Sequence, residues 1–223
     1  MGKYLLFDAD GTLYDFASSA QISLRKVFEK NSIAFTQENY ELYEIGNKYC
    51  WECYEKGTLS QEDLKTKRFQ LLFDRLSLHQ SAFVAGEDYV QYLSEEGIML
   101  PGALDFLEDI KDMDMAIVTN GIAKTQHGRF EKTDTKKYFK HIFISQEMRK
   151  QKPDKAFFDE VLNTIDKKPE ECLVIGDSEK SDIKGAINAG IDSVYISFSG
   201  SKSDLATYNV SSYKELKDLI SRL

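Results

Sequence analysis

The chain has 223 residues, 42% hydrophobic and 30% charged, the balance of a globular protein with a sizeable core. Its net charge of −8, from 29 Lys and Arg against 37 Asp and Glu, excludes the broad positive footprint that a nucleic-acid polymer needs. No stretch is apolar for long enough to span a membrane, and the short apolar run near the N-terminus stops at Asp8, too early for an export signal. A cytoplasmic location without membrane contact is therefore expected.

The first predicted element is Tyr4-Leu5-Leu6-Phe7, a continuous apolar run that ends abruptly in acidic residues. Such runs read as strands buried on both faces of a parallel sheet. Residues 16–96 break this pattern and carry helical stripes instead. These are Ala20, Leu24, Val27 and Phe28; then Tyr40, Tyr43, Asn47, Trp51 and Tyr54. A third stripe of Leu64, Leu71, Leu72 and Leu76 follows Ser60-x-x-Asp63, which resembles a capping box, and a fourth carries Phe83, Val90 and Leu93.

Strand-like runs then return as Met115–Val118, His141–Ile144, Cys172–Ile175 and Ser193–Ile196. Helix-period segments separate them: Phe157, Val161 and Ile165 after a helix start at Pro153, and Ile183, Ala186, Ile187 and Gly190. The alternation predicts an α/β fold, a doubly wound, Rossmann-like parallel sheet core built from residues 1–15 and 97–223. Residues 16–96 form an inserted all-helical cap domain, placed at the mouth of the first strand as a lid would be. Cys50-x-x-Cys53 lacks a second ligand pair for tetrahedral zinc and reads as two helix-packing thiols.

Four local features lie at or just beyond strand ends, where open α/β sheets bind ligands. In Asp8-Ala9-Asp10-Gly11-Thr12, two carboxylates two residues apart leave the strand on one side, so one can attack phosphorus while the other handles protons. Thr119-Asn120-Gly121 offers a hydroxyl and free backbone amides to phosphate oxygens. Lys152 supplies a compact positive charge next to Pro153. Gly176-Asp177-Ser178-x-x-x-Asp182 can complete an oxygen-ligand site for Mg2+ with Asp8. Each alone also fits an ordinary turn or a solvated side chain; the four in this order are far more specific.

Together they resemble the haloacid dehalogenase superfamily of aspartyl phosphatases, whose pattern is Asp-x-Asp-Gly-Thr, a Thr or Ser, a Lys, and a Gly-Asp with a later acid. The resemblance covers essentially the whole chain. It implies Asp8 as nucleophile and Asp10 as general acid, then base. It implies Mg2+ held by Asp8, the Asp10 backbone carbonyl and Asp177, with Asp182 supporting, directly or through water. Thr119 and the Asn120 amide would bind the phosphoryl group, and Lys152 would pair with Asp8 and phosphate.

The helical insert resembles a C1-type cap, which places substrate choice in residues 16–96. Asp-Gly-Thr-Leu-Tyr-Asp-Phe, Trp51-x-x-Tyr54-Glu55-x-Gly57, Arg68-Phe69 and Thr119-Asn120-Gly121 followed by Thr125-Gln126 resemble the housecleaning pyrimidine 5′-nucleotidases. Gly11, the usual superfamily residue, stands where that subgroup often has a second acid, and Thr133-Asp134-Thr135 and Glu147-Met148-Arg149-Lys150 also depart from it, the latter by lacking a glycine near the lysine loop.

The expected partner is a small phosphorylated metabolite such as a nucleoside monophosphate, and the expected assembly a monomer or homodimer. A sugar phosphomutase on the same scaffold and a non-catalytic phosphate-binding protein stay open. Aromatic and polar cap residues can stack on and bond to a base, but most of Tyr49, Trp51 and Tyr54 are expected individually to pack the cap core.

Overall fold

The computed structural model describes residues 2–223. Six strands form one parallel sheet: β1 (Tyr4–Phe7), β2 (Met115–Thr119), β3 (His141–Ile144), β4 (Cys172–Gly176), β5 (Asp192–Ile196) and β6 (Tyr208–Val210). Their order is β3-β2-β1-β4-β5-β6. The chain thus winds outward from β1 in both directions, and the crevice at the strand ends opens between β1 and β4, where the winding reverses.

The strands need no polar face because helices cover both sides. Alternate residues of β1 divide between two cores. Leu5 and Phe7 join Phe106 and Leu107 of α5 (Ala103–Asp109) and Leu216 and Ile220 of α10 (Tyr213–Ile220). Tyr4 and Leu6 join Phe157, Phe158 and Val161 of α8 (Lys155–Ile165) and Ala186 and Ala189 of α9 (Lys184–Ala189). The expected doubly wound α/β fold is observed.

Between β1 and α5 stand four helices: α1 (Phe16–Lys30), α2 (Gln37–Glu55), α3 (Gln61–Arg75) and α4 (Ala82–Glu95). They share a separate aromatic core of Phe28, Tyr43, Phe69, Phe73 and Tyr89. Ser60 caps α3 as predicted, its hydroxyl oxygen accepting from the Asp63 amide at 3.0 Å. The two chain crossings into this unit lie side by side, with the Asp15 amide donating to Ile98 at 3.0 Å and the Leu100 amide to Leu13 at 3.0 Å.

Several expectations need correction. Pro153 does not open a helix: α8 begins at Lys155, behind Asp154. Phe83 and Ile187 are exposed, and the buried stripes of α4 and α9 run instead through Ala85, Tyr89 and Val90, and through Gly185 and Ala186. The buried face of α2 is Tyr43, Gly46 and Cys50. Tyr49 is 55% exposed and outside the cap core. Strand β6 has no counterpart among the apolar runs. Cys50 and Cys172 are buried free thiols, consistent with a packing role, and Cys53 is free and half-buried. Among the described residues no helix is long and apolar enough to cross a membrane.

Candidate active site

The cleft of about 210 Å3 at the strand ends is lined by Asp8, Asp10, Thr119, Asn120, Lys152, Asp177 and Asp182, every residue singled out from the motifs. Its floor belongs to the sheet. Asp8 follows β1, Thr119 ends β2, and Asp177 follows β4, so adjacent parallel strands set their spacing.

Lys152 organises this floor. Its Nζ donates to Asp8 Oδ1 at 2.7 Å, to Asp182 Oδ1 at 2.6 Å and to the Val118 carbonyl at 2.7 Å. Three acceptors satisfy all three ammonium donors. The Asn120 side chain fixes the lysine's backbone from both sides, donating to the Lys152 carbonyl at 2.8 Å and accepting from its amide at 2.9 Å. Thr119 Oγ1 accepts from the Gly121 amide at 3.0 Å, which leaves the hydroxyl proton for a substrate oxygen.

Burial works against a charged Lys152, but Asp182 and Asp8 outweigh it and the net pKa is raised. Burial also pushes the Asp8 carboxyl well above the ordinary range; Lys152 opposes this, and Asp182, Asp177 and Asp10 reinforce it. Burial, then Asp182, lifts Asp177 to about 7. One lysine is too little positive charge for these acids.

Carboxylate oxygens of Asp8, Asp177 and Asp182 lie within 4.8 Å of one another. Converging hard oxygen donors short of positive charge fit a divalent cation such as Mg2+. Gly11 makes room for this convergence. Its φ is +80°, and a Cβ there would stand 2.2 Å from Asp177 Oδ2.

Asp10 points elsewhere. Gln126 Nε2 donates to its Oδ2 at 2.9 Å, and the Arg129 guanidinium pairs with its Oδ1. Both donors stand on α6 (Ala123–Lys132). Gln126 enters only as part of the subgroup resemblance, without a role, and no motif singles out Arg129. The available signal was Gln126 and Arg129 at i and i+3, which a helix brings to one side.

The opposite wall of the cleft comes from the helical insert: Phe16, Trp51, Arg68 and Leu93. Trp51 and Tyr54 were expected in the cap core. Trp51 instead faces the cleft, and the Tyr54 hydroxyl lies 3.3 Å from Ser145 Oγ. Arg68 is 1% exposed, and its Nε and Nη2 have no hydrogen-bond partner. The departures at Thr133 and Thr135 serve the chain crossing, where both hydroxyls meet the buried Tyr14 hydroxyl at 3.0 and 2.5 Å. Arg149, where the lysine loop lacks its glycine, adopts a φ of 54°.

Residues 3–190 match the haloacid dehalogenase-like hydrolases. The chain belongs to this family. It is 33% identical to pyrimidine 5′-nucleotidase PynA of Streptococcus pneumoniae, over 99% of this chain and 95% of that protein. It is 32% identical to pyrimidine 5′-nucleotidase YjjG of Escherichia coli, over 97% of each. Among solved structures, YfnB of Bacillus subtilis bound to magnesium superposes with a TM-score of 0.91 at 29% identity, covering 98% of both chains. The resemblance read from the motifs is thereby confirmed, and the chain is an enzyme, a HAD-like phosphatase.

Proposed function

We propose that this protein is a Mg2+-dependent phosphomonoesterase that works through an aspartyl phosphate on Asp8, and that its substrate is a pyrimidine nucleoside 5′-monophosphate. The observation that carries the reaction is the Lys152 ammonium joined to Asp8 and Asp182 on the cleft floor, with Asp177 alongside. The substrate class rests on the two pyrimidine 5′-nucleotidases that match almost end to end.

Asp8, Asp177 and Asp182 would hold Mg2+, with the Asp10 carbonyl. Bound there, the ion neutralises phosphate and carboxylate charge that would otherwise repel. Asp8 attacks phosphorus in line with the leaving oxygen. Lys152 favours the ionised form of Asp8 against its burial and offsets phosphate charge. The Thr119 hydroxyl and the Asn120 amide hold the transferring oxygens. Asp10 protonates the leaving oxygen and then takes a proton from the water that releases phosphate. Residues 16–96 act as the cap that excludes bulk water and reads the leaving group, with Trp51 as the flat apolar surface for a base.

The test is phosphate release from nucleoside monophosphates and sugar phosphates, with Mg2+ and with chelator. Pyrimidine nucleotides should give the highest kcat/KM, and chelation should abolish turnover. A sugar phosphate as best substrate overturns the nucleotide assignment; full chelator-resistant turnover overturns the metal.

A further inference from the structure

The Asp10 carboxylate is gripped at both oxygens, one by Gln126 and the other by Arg129. One hydrogen bond would leave a carboxylate free to swing; two donors from one helix face fix its rotation as well as its place. Gln126 is 0% and Arg129 1% exposed, whereas the Asp10 side chain is 27% exposed. The donors are thus locked in protein while the acid they hold faces the cleft. Of the roughly four lone-pair positions on a carboxylate, two are used and two remain for a proton or a substrate oxygen.

The grip is itself braced. The Arg129 guanidinium lies 5.1 Å from the Tyr14 ring centre and 6.0 Å from that of Phe16, the first residue of α1. Helix α6 packs directly on α4 of the insert. Gly128, between the two donors, comes so near that a Cβ would sit 2.3 Å from the Ser94 carbonyl oxygen. A helix seated against a backbone this closely has little freedom to rotate and carry its side chains off Asp10.

We infer that Gln126 and Arg129 are positioning residues for proton transfer by Asp10, holding its carboxyl where the leaving oxygen departs. This rests on the reading of Asp10 as general acid. In the first half-reaction the bond from Asp8 to phosphorus forms, the bond from phosphorus to the ester oxygen breaks, and the Asp10 proton passes to that oxygen. In the second, water attacks phosphorus, its proton returns to the Asp10 carboxylate, and Asp8 leaves as free carboxylate with inorganic phosphate released. A misplaced acid weakens the first transfer most when the leaving oxygen is strongly basic, because a stable phenolate needs little protonation.

The experiment follows kcat/KM, which reports the steps up to aspartyl phosphate formation, along a series of aryl phosphates of rising phenol pKa, ending with ribose 5-phosphate. Arg129→Met, Arg129→Lys, Gln126→Leu and Asp10→Asn are compared with the unsubstituted enzyme. The expected loss for Arg129→Met is smallest for 4-nitrophenyl phosphate and grows with leaving-group basicity, to about tenfold to a hundredfold for the alkyl ester. Arg129→Lys should fall between, since a point charge lacks the guanidinium fork. Gln126→Leu should show the same slope, and it carries the test should Arg129→Met not fold.

A loss equal for every leaving group means that these side chains only support the fold, and it overturns the inference. If Asp10→Asn shows the slope and the Gln126 and Arg129 variants do not, the positioning role alone fails. If Asp10→Asn itself shows no slope, the general-acid reading fails and takes the inference with it.

Discussion

The floor and the roof of the cleft are built on opposite plans. On the floor, the charged groups are paired in advance: Lys152 uses all three donors, Asn120 braces its backbone, and Asp10 is held at both oxygens, while Gln126 Oε1 and Arg129 Nη2 behind it stay without a partner. On the roof, Arg68 is buried with two guanidinium nitrogens unpartnered, and it lines the cleft together with Trp51. Preorganised dipoles and charges lower a reaction barrier because nothing must reorganise as charge moves. Unsatisfied buried donors do the opposite for the free protein: they cost stability that a matching ligand restores. Under the proposed function, chemistry falls to the sheet side and recognition to the helical side.

The sharpest way to break this division is at Asp8, the proposed nucleophile. Asp8→Asn should lower kcat by at least about 10^4-fold for nucleotides and aryl phosphates alike, since removing a covalent nucleophile spares no substrate. Its melting temperature should stay level or rise, because the amide relieves a carboxylate that burial and three neighbouring acids disfavour. Retained turnover would sink the aspartyl phosphate mechanism.

Lys152→Met comes next. It leaves Asp8 and Asp182 buried without their shared cation, and breaking a buried pair costs about 3 kcal/mol or more. Urea unfolding at neutral pH without Mg2+ should show that loss together with a collapse of activity. Unchanged stability would mean that the floor is less tightly charge-balanced than its distances imply.

The proposed metal site offers a third test, with a definite sign. Burial and Asp182 raise Asp177 from 3.8 to about 7, so the metal-free folded protein keeps a proton that the unfolded chain releases. The stability this proton confers is present at low pH and is lost as pH rises from about 4 through about 7. Under the proposed function, Mg2+ bound through Asp177 displaces the same proton. Its apparent affinity should rise by up to about tenfold per pH unit below 7 and level off above. Calorimetric titrations at pH 6, 7 and 8 measure this, and an affinity flat across that range would contradict it.

Floor and roof also differ in how much of them the sequence reveals. Strands buried on both faces announce themselves as unbroken apolar runs, and five of the six strands were legible in this way. Strand β6 was not: Tyr208 is half-buried and Asn209 exposed, so it carries no such run. Asp8, Asp10, Thr119, Asn120 and Asp177 were legible because each lies within a few residues of a strand end, where chain order and spatial order nearly coincide; Lys152 and Asp182 lie farther beyond β3 and β4 and were legible from the motif order.

The roof obeys no such rule. On α2, Tyr43 turns into the cap core and Cys50 is buried, while Trp51, one residue or about 100° further round the helix, turns to the cleft. Periodicity alone cannot tell these faces apart. Gln126 and Arg129 were hidden for a related reason, since their partner, Asp10, lies more than a hundred residues away in the chain.

The smallest expected effects lie on the roof, and they test the comparison most directly. Arg68 presents Nε and Nη2, the adjacent donors of one guanidinium edge, which suit a carbonyl-bearing edge of a base. Hydrogen bonds to a charged donor contribute roughly 1.5–3 kcal/mol. Arg68→Met should therefore lower kcat/KM for a pyrimidine nucleotide by about tenfold to a hundredfold, and Trp51→Ala by about tenfold or less. Against 4-nitrophenyl phosphate, which carries no base, the same substitutions should cost only a few-fold. Arg68→Met also removes a buried, unpaired charge, so its melting temperature should not drop far, although the cation at 4.4 Å from the Tyr89 ring is lost. A substrate-independent loss with a large fall in melting temperature would mean that Arg68 belongs to the cap's aromatic core. The roof would then read its ligand through Trp51 and the cleft's shape alone.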